Sequence, residues 1–105
     1  SSVSRGVASS VIIYIDHFGN AYTGVRAGDL EVLGLDYGDE LRISIPRRNV
    51  DLRVRFLRSY GYAGEGEPLA LINSEGFLEL SINRGSFASR YGVEEGDEVK
   101  LSVIK

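Results

Sequence analysis

The apolar residues of this chain recur at every second position, and that spacing constrains the fold more than any other feature. Leu41, Ile43 and Ile45 alternate with Arg42 and Ser44, and Val50, Leu52, Val54 and Phe56 alternate with Asp51, Arg53 and Arg55. Val99, Leu101 and Val103 alternate with Lys100 and Ser102. Two is the side-chain period of a β-strand, and the alternation gives each strand one buried and one wet face. Residues 11–15, 21–25, 69–72 and 77–82 read as further extended segments, separated by Gly, Asn and Asp turn signals. Seven short strands predict a mainly β fold, a small single-domain β-barrel of about seven strands. One or two short helical turns accompany it, at residues 27–34 and 86–92, each closed by a glycine. The opening SSVSRGVASS is small, polar and without period, so residues 1–10 are expected to be a linker or ragged start, and 11–105 the barrel.

One phrase occurs twice. Gly34-Leu-Asp-Tyr-Gly38-Asp39-Glu40-Leu-Arg-Ile-Ser44 stands 58 residues before Gly92-Val-Glu-Glu-Gly96-Asp97-Glu98-Val-Lys-Leu-Ser102, with five positions identical. The unit reads as helical turn, glycine stop, acidic turn and strand, with the Gly-Asp pair supplying a left-handed residue and a side chain for the turn amides. It is a barrel-building unit, since a solenoid needs three or more copies.

Composition removes several classes of function. With 105 residues, folding hides roughly 65% of the unfolded surface, enough for one core. The absence of cysteine excludes disulfides, thiolate metal sites and a cysteine nucleophile, and fits a reducing, cytoplasmic compartment. A single histidine, His17, excludes a histidine-rich metal site and leaves no credible Ser-His-Asp triad. No apolar run reaches the ~20 residues of a membrane span, and a secretory leader is not expected. The carboxylates around Asp36–Glu40 and Glu94–Glu98 lack the ligand spacing of a calcium loop and read as surface turns; no metal is expected. The glycines at 61, 64 and 66 precede no helical pattern, which rules out a dinucleotide fingerprint. Arg42, Arg47, Arg48, Arg53, Arg55 and Arg58 form a basic stretch, but exposed aromatics are not interleaved and the net charge is -3. The wet face of two strands accounts for them, and nucleic acid is not the expected partner.

The residues with the most chemical specificity lie in turns. Asp16-His17-Phe18-Gly19-Asn20 follows an apolar strand, and its glycine lets the backbone approach a neighbour closely. Asn73-Ser74-Glu75-Gly76 separates two apolar segments, and Asn83-Arg84-Gly85-Ser86 ends the second. Loops at the ends of barrel strands commonly hold small ligands.

Taken together, Ile15–Asn20, Gly38-Asp39, Gly66 to Gly76, Leu78–Leu80, Asn83 to Gly85 and Gly92 to Val99 spell I-D-x-F-G-N, G-D, G-E-P-L-A-L-I-N-S-x-G, L-E-L, N-x-G and G-V-x-x-G-D-x-V. This order resembles the C-terminal domain of the S-adenosyl-L-methionine (SAM) hydrolase family, also called SAM hydroxide adenosyltransferases, to which fluorinase and chlorinase are related. The resemblance covers roughly residues 11–104. It implies a two-domain enzyme whose N-terminal α/β domain, absent from this chain, activates the nucleophile. It also implies a homotrimer in which the active site lies between one subunit's barrel and its neighbour's N-terminal domain.

Carried over by position, the resemblance implies that Asp16 meets the methionine ammonium and that Asn20 recognises adenine along the base edge. Ser74 lies near the methionine carboxylate. Asn83 and Arg84 form a turn that holds adenine. Tyr60, with Tyr62 as the neighbouring alternative, stacks on the purine. Glu75 stands where the halogenating relatives have an arginine, and a carboxylate cannot pair with the substrate carboxylate. The implied reaction is attack of water on the ribose 5′ carbon of SAM, releasing adenosine and L-methionine without a cofactor, and the chain alone is expected to be inactive. The alternative is a stand-alone barrel that binds nucleic acid or an acidic protein through its arginine strands.

Overall fold

In the computed structural model, which describes residues 1–105, the alternating segments become strands. They are β1 (Ser2–Ser4), β2 (Val7–Ile15), β3 (Ala21–Arg26), β4 (Glu40–Ile45), β5 (Val50–Phe56), β6 (Pro68–Ile72), β7 (Phe77–Ile82) and β8 (Glu98–Ile104). Their hydrogen-bonded order is β1-β2-β3-β7-β6-β5-β4-β8, and β8 also pairs antiparallel with β2. That pairing closes the strands from β2 to β8 into a seven-stranded barrel, with β1 an extra strand on β2. Closure leaves no open edge to recruit another chain into the barrel itself. The interior is apolar: Ile12, Leu41, Ile43, Val54, Leu80 and Leu101 are among its fully buried residues. Two short helices, α1 (Leu30–Leu33) and α2 (Phe87–Tyr91), end on Gly34 and Gly92, both left-handed as a glycine stop requires. No helix is long and apolar enough to cross a membrane.

The expectation of a ragged start is corrected. Residues 7–10 are the first half of β2, paired with β8 from Val7 opposite Ser102 to Ser10 opposite Val99. The inward positions here are Ala8 and Ser10, so the period of two is present but written in small residues rather than large apolar ones. Ser10 is useful at the interior because its Oγ accepts the Gly24 amide at 2.9 Å.

The repeated phrase folds into two matching corners. β4 and β8 pair with Ile43 opposite Leu101, Arg42 opposite Ser102 and Ser44 opposite Lys100, a register symmetric about the Ile43–Leu101 pair. Each acidic turn is tied by its own aspartate: Asp39 accepts the Asp36 amide at 2.9 Å and Asp97 the Glu94 amide at 2.8 Å. The carboxylate clusters are therefore turn-formers with cationic partners. Lys105 holds Asp36 and Asp39. Arg48 grips Asp97 with two hydrogen bonds, Nε at 2.7 Å and an Nη at 3.1 Å. The arginine stretch is largely consumed in the same way, with Arg42 on Asp51, Arg55 on Glu67 and Arg58 stacked 4.1 Å from the Tyr37 ring centre.

β5 and β6 are the one parallel pair, with Phe56 opposite Ala70. A parallel pair cannot be joined by a hairpin, so residues 57–67 cross the outside of the barrel to reach the start of β6. The crossing is pinned by Leu57 and Ala63 packed on Leu69 and Leu71, by Arg55 on Glu67, and by Arg90 donating to the Gly66 carbonyl at 2.9 Å.

The Arg48–Asp97 pair gives a test of stability. Asp97 is almost fully buried, and the Arg48 guanidinium, followed by the Glu94 amide, holds its carboxyl below the ordinary 3.8. A lowered folded-state value contributes stability above the unfolded value and loses it as pH falls through the folded one. Asp97→Ala should cost about 3 kcal/mol at neutral pH, because it leaves the turn amide unpaired and takes from Arg48 its buried partner, leaving only Glu94. In urea melts, the gap between wild type and variant should close in acid below that ordinary value; a gap independent of pH would assign the loss to packing alone.

Candidate functional site

Asp16 organises the turn between β2 and β3. Its Oδ1 accepts the backbone amides of Phe18 at 2.9 Å and Asn20 at 3.0 Å, which bends the chain back on itself as an aspartate-led turn. Its Oδ2 accepts the Asn20 side-chain amide at 2.9 Å and the Tyr22 hydroxyl at 3.3 Å. Burial pushes the Asp16 carboxyl up, but the hydrogen bonds from Asn20, Phe18 and Tyr22 outweigh it, and the group lies below its ordinary value. Tyr22 is pushed up to about 12 by burial and then by the charge of Asp16. Four donors fill the lone-pair sites of the carboxylate, so what Asp16 offers a cation is charge rather than a vacant acceptor.

Gly19 closes the turn for a reason the sequence only half shows. Its φ of 82° is left-handed, and a Cβ there would lie 1.9 Å from Ser86 Oγ. The close neighbour is thus within the chain: Ser86 caps α2 by accepting the Ser89 amide at 3.0 Å, and the Gly19 carbonyl accepts the Ala88 amide at 2.9 Å. The first turn of α2 is docked on the Asp16–Asn20 turn.

Between this turn and the crossing segment lies a cavity of about 810 Å³. Asp16, Asn20, Tyr60, Ser74, Asn83 and Arg84 all line it, brought together from four separate stretches of chain. Glu75 does not; it is exposed beside the cavity rim, its amide donating to Asn73 Oδ1 at 3.0 Å. Tyr62 also stays outside the lining, so Tyr60 is the aromatic of its pair that reaches the cavity. Asn83 spends its side-chain amide on the crossing segment, donating to the Ala63 carbonyl at 3.0 Å. Arg84 is exposed with a left-handed φ of 60°, which turns the chain between β7 and α2. His17 is exposed, packs edge-on against Phe18 and takes no part in the lining. No group of three or more His, Cys, Asp or Glu is clustered so as to hold a metal ion.

Sequence reasoning missed the residue at the centre of the site. Glu79, on the outward face of β7, is 1% exposed and also lines the cavity. Tyr60 donates its hydroxyl to Glu79 Oε2 at 2.6 Å, Ser81 donates to the same oxygen, and Asn73 donates its side-chain amide to Oε1 at 3.2 Å. Alternation alone makes Glu79 a wet position. The signal that it is not is the unbroken apolar run of β6, which implies that both faces of that part of the sheet are covered.

Comparison with known proteins bears on what this cavity serves. The family described as the SAM hydroxide adenosyltransferase C-terminal domain matches residues 10–100. The chain belongs to that family. It is 37% identical over 104 residues to a fluorinase from Actinoplanes sp. (strain N902-109), covering 97% of this chain and 35% of the relative. It is 36% identical over 104 residues to the (R)-S-adenosyl-L-methionine hydrolase of Thermus thermophilus, covering 95% of this chain and 34% of that protein. The corresponding hydrolase of Methanocaldococcus jannaschii is 30% identical over 93 residues. Among solved structures, an uncharacterized conserved protein from Thermotoga maritima superposes with a TM-score of 0.87 at 27% identity, over 95% of this chain and 37% of that one. The chain thus spans about a third of the length of the relatives it matches.

Gly19→Ala tests how the turn is built. A left-handed alanine and a clash with the cap of α2 should together destabilise the chain by about 2–4 kcal/mol. Thermal melts should show the loss, and hydrogen exchange should place it at α2 and the Asp16 turn. Wild-type stability would show that Ser86 moves aside freely.

Proposed function

We propose that this chain is the substrate-binding domain of a SAM hydrolase, in which water displaces L-methionine from the ribose 5′ carbon and adenosine is formed. One observation carries the reading: Asp16, Asn20, Tyr60, Ser74, Asn83 and Arg84, which family resemblance alone picks out, line one cavity. At about 810 Å³ the cavity lies within the usual range for small-molecule sites. Its chemistry suits a nucleoside carrying a cationic tail. The aromatic rings of Phe18 and Tyr60 give a purine apolar surface nearby, and the carboxylates of Asp16 and Glu79 offer negative charge to an ammonium or sulfonium.

The role of each residue follows from its contacts. Both Nδ2 protons of Asn20 have partners within the chain, on Asp16 Oδ2 and, at 3.4 Å, on the Tyr60 hydroxyl. Its Oδ1 has none and is not sealed from solvent, so Asn20 accepts from a base rather than donating to it. Ser74, exposed at the turn, is free to donate to a carboxylate. Glu75, outside the cavity lining, stands where the resemblance places an arginine in the halogenating relatives, so that contact does not carry over to this chain.

The reaction asks little more of this domain than alignment. A sulfonium is already a good leaving group, and catalysis then rests on holding the 5′ carbon in line with the attacking oxygen and stripping that oxygen of bulk water. In this reading the activating groups come from an N-terminal α/β domain, in a cytoplasmic homotrimer where one subunit's barrel faces its neighbour's N-terminal domain. The arginine alternative gains nothing from the structure, since most of those side chains already hold carboxylates or an aromatic ring.

The chain alone should not consume SAM above background, and mixing it with the N-terminal domain of a relative should release adenosine. Adenosine titrated into the chain should shift the amide resonances of residues 16–20, 60, 74 and 83–84. Asn20→Ala should weaken adenosine binding by roughly tenfold to a hundredfold, corresponding to about 1–3 kcal/mol. Shifts confined to the arginine face, or affinity unchanged in Asn20→Ala, would defeat the proposal.

A further inference from the structure

We propose that Glu79 is a specificity-determining residue of this site: by accepting the Tyr60 hydroxyl hydrogen bond it leaves only acceptors on the stretch of lining between Asn20 and Tyr60, which selects a purine bearing a 6-amino group over one bearing a 6-oxo group. The inference rests on the nucleoside reading above and adds to it a role for a residue that never needs to touch the ligand.

The argument follows the protons. A carboxylate can only accept, so the 2.6 Å contact between Tyr60 and Glu79 Oε2 points the Tyr60 hydroxyl hydrogen at Glu79. The Tyr60 oxygen then faces Asn20 with lone pairs only, and it accepts from Asn20 Nδ2 at 3.4 Å. At the far side of Asn20, Asp16 Oδ2 accepts the other Nδ2 proton at 2.9 Å. Two carboxylates, one at each end, therefore orient every proton between them. Between these two residues, what remains toward the cavity is Asn20 Oδ1 and one Tyr60 lone pair, both acceptors. An exocyclic amine donates to such an edge. A carbonyl oxygen in its place would meet lone pair with lone pair and leave buried polar atoms unpaired, the strong form of discrimination.

The same contacts say what a neutral replacement does. Asn73 Oδ1 accepts from the amides of Glu75 at 3.0 Å and Phe77 at 3.1 Å, so the Asn73 amide cannot turn and its Nδ2 must point at residue 79. In Glu79→Gln the new carbonyl oxygen is held there by Asn73. The new amide nitrogen takes the place of Oε2 and donates to the Tyr60 and Ser81 oxygens. The Tyr60 hydroxyl hydrogen then turns away from residue 79 toward the cavity, and the edge gains a donor. Shape is preserved and a buried charge is removed, so the fold survives. Tyr60 carries a mark of the wild-type arrangement, since burial and then the hydrogen bond to Glu79 push its phenol well above the ordinary 10.

The experiment compares adenosine with inosine, which differ at position 6, by titration calorimetry on the 105-residue chain. Wild type should prefer adenosine by about tenfold or more. Glu79→Gln should bring the two affinities to within about twofold, with the melting curve unchanged and the Tyr60 phenol titrating closer to its ordinary value. In a Tyr60→Phe background, Glu79→Gln should change the ratio no further, because the effect passes through that hydroxyl. A wild-type ratio retained in Glu79→Gln overturns the role of Glu79 and leaves the nucleoside reading standing. Wild type that binds neither nucleoside overturns both. Should Glu79→Gln not fold, Tyr60→Phe alone decides, since an undiminished adenosine preference there also overturns the inference.

Discussion

The parallel pairing of β5 with β6 is the constraint from which the rest of the site descends. Every other neighbouring pair in the barrel is antiparallel. At this one seam the chain must return to the end it started from, and with only a single 3-10 turn at Tyr60–Tyr62 along the way, residues 57–67 run over the outer surface. That return covers Leu69 and Leu71, brings Tyr60 above β7, and buries Glu79 beneath it. It also forms one wall of the cavity whose opposite wall is the Asp16 turn. The cavity lies on the outside of the barrel, between a strap and a hairpin.

Within that space, lined also by Arg58 and Arg84, two carboxylates have no cationic hydrogen-bond partner. Elsewhere in the chain the buried Asp97 is matched by Arg48, the arrangement expected where an acid is there for stability. Asp16 and Glu79 are instead held by neutral donors, amides and hydroxyls. Neutral donors satisfy the oxygens but leave the charge uncancelled. A site that must attract a cation has reason to leave it so, and the cost in folding free energy falls on the same residues that carry the proposed function.

Much of the barrel was legible because its large residues follow the strand period. The Leu41 to Ile45 and Val50 to Phe56 segments became β4 and β5 with the expected faces buried, and both glycine-stopped turns became helices. Residues 7–10 were not legible, because their inward positions are alanine and serine, whose burial is decided by the strand opposite rather than by their own hydrophobicity. The Asp16 turn could be read as a turn, but the neighbour that demands Gly19 proved to be Ser86, far along the chain. Glu79 was out of reach for a deeper reason. A local period tells which side of the sheet a residue takes, while its burial depends on a strap whose path is a property of topology.

On β7 the site and the core share one strand, residue by residue: Leu78, Leu80 and Ile82 face the interior, and Glu79 and Ser81 face the strap. A strand slipped by one position during folding would exchange these sets. It would thrust a carboxylate into a core with no donor to meet it, at a cost of several kcal/mol, while turning leucines toward the polar pocket. The acid proposed to sort one purine from another thus also sorts the registers of its own strand, rejecting the misaligned chain before any ligand is present.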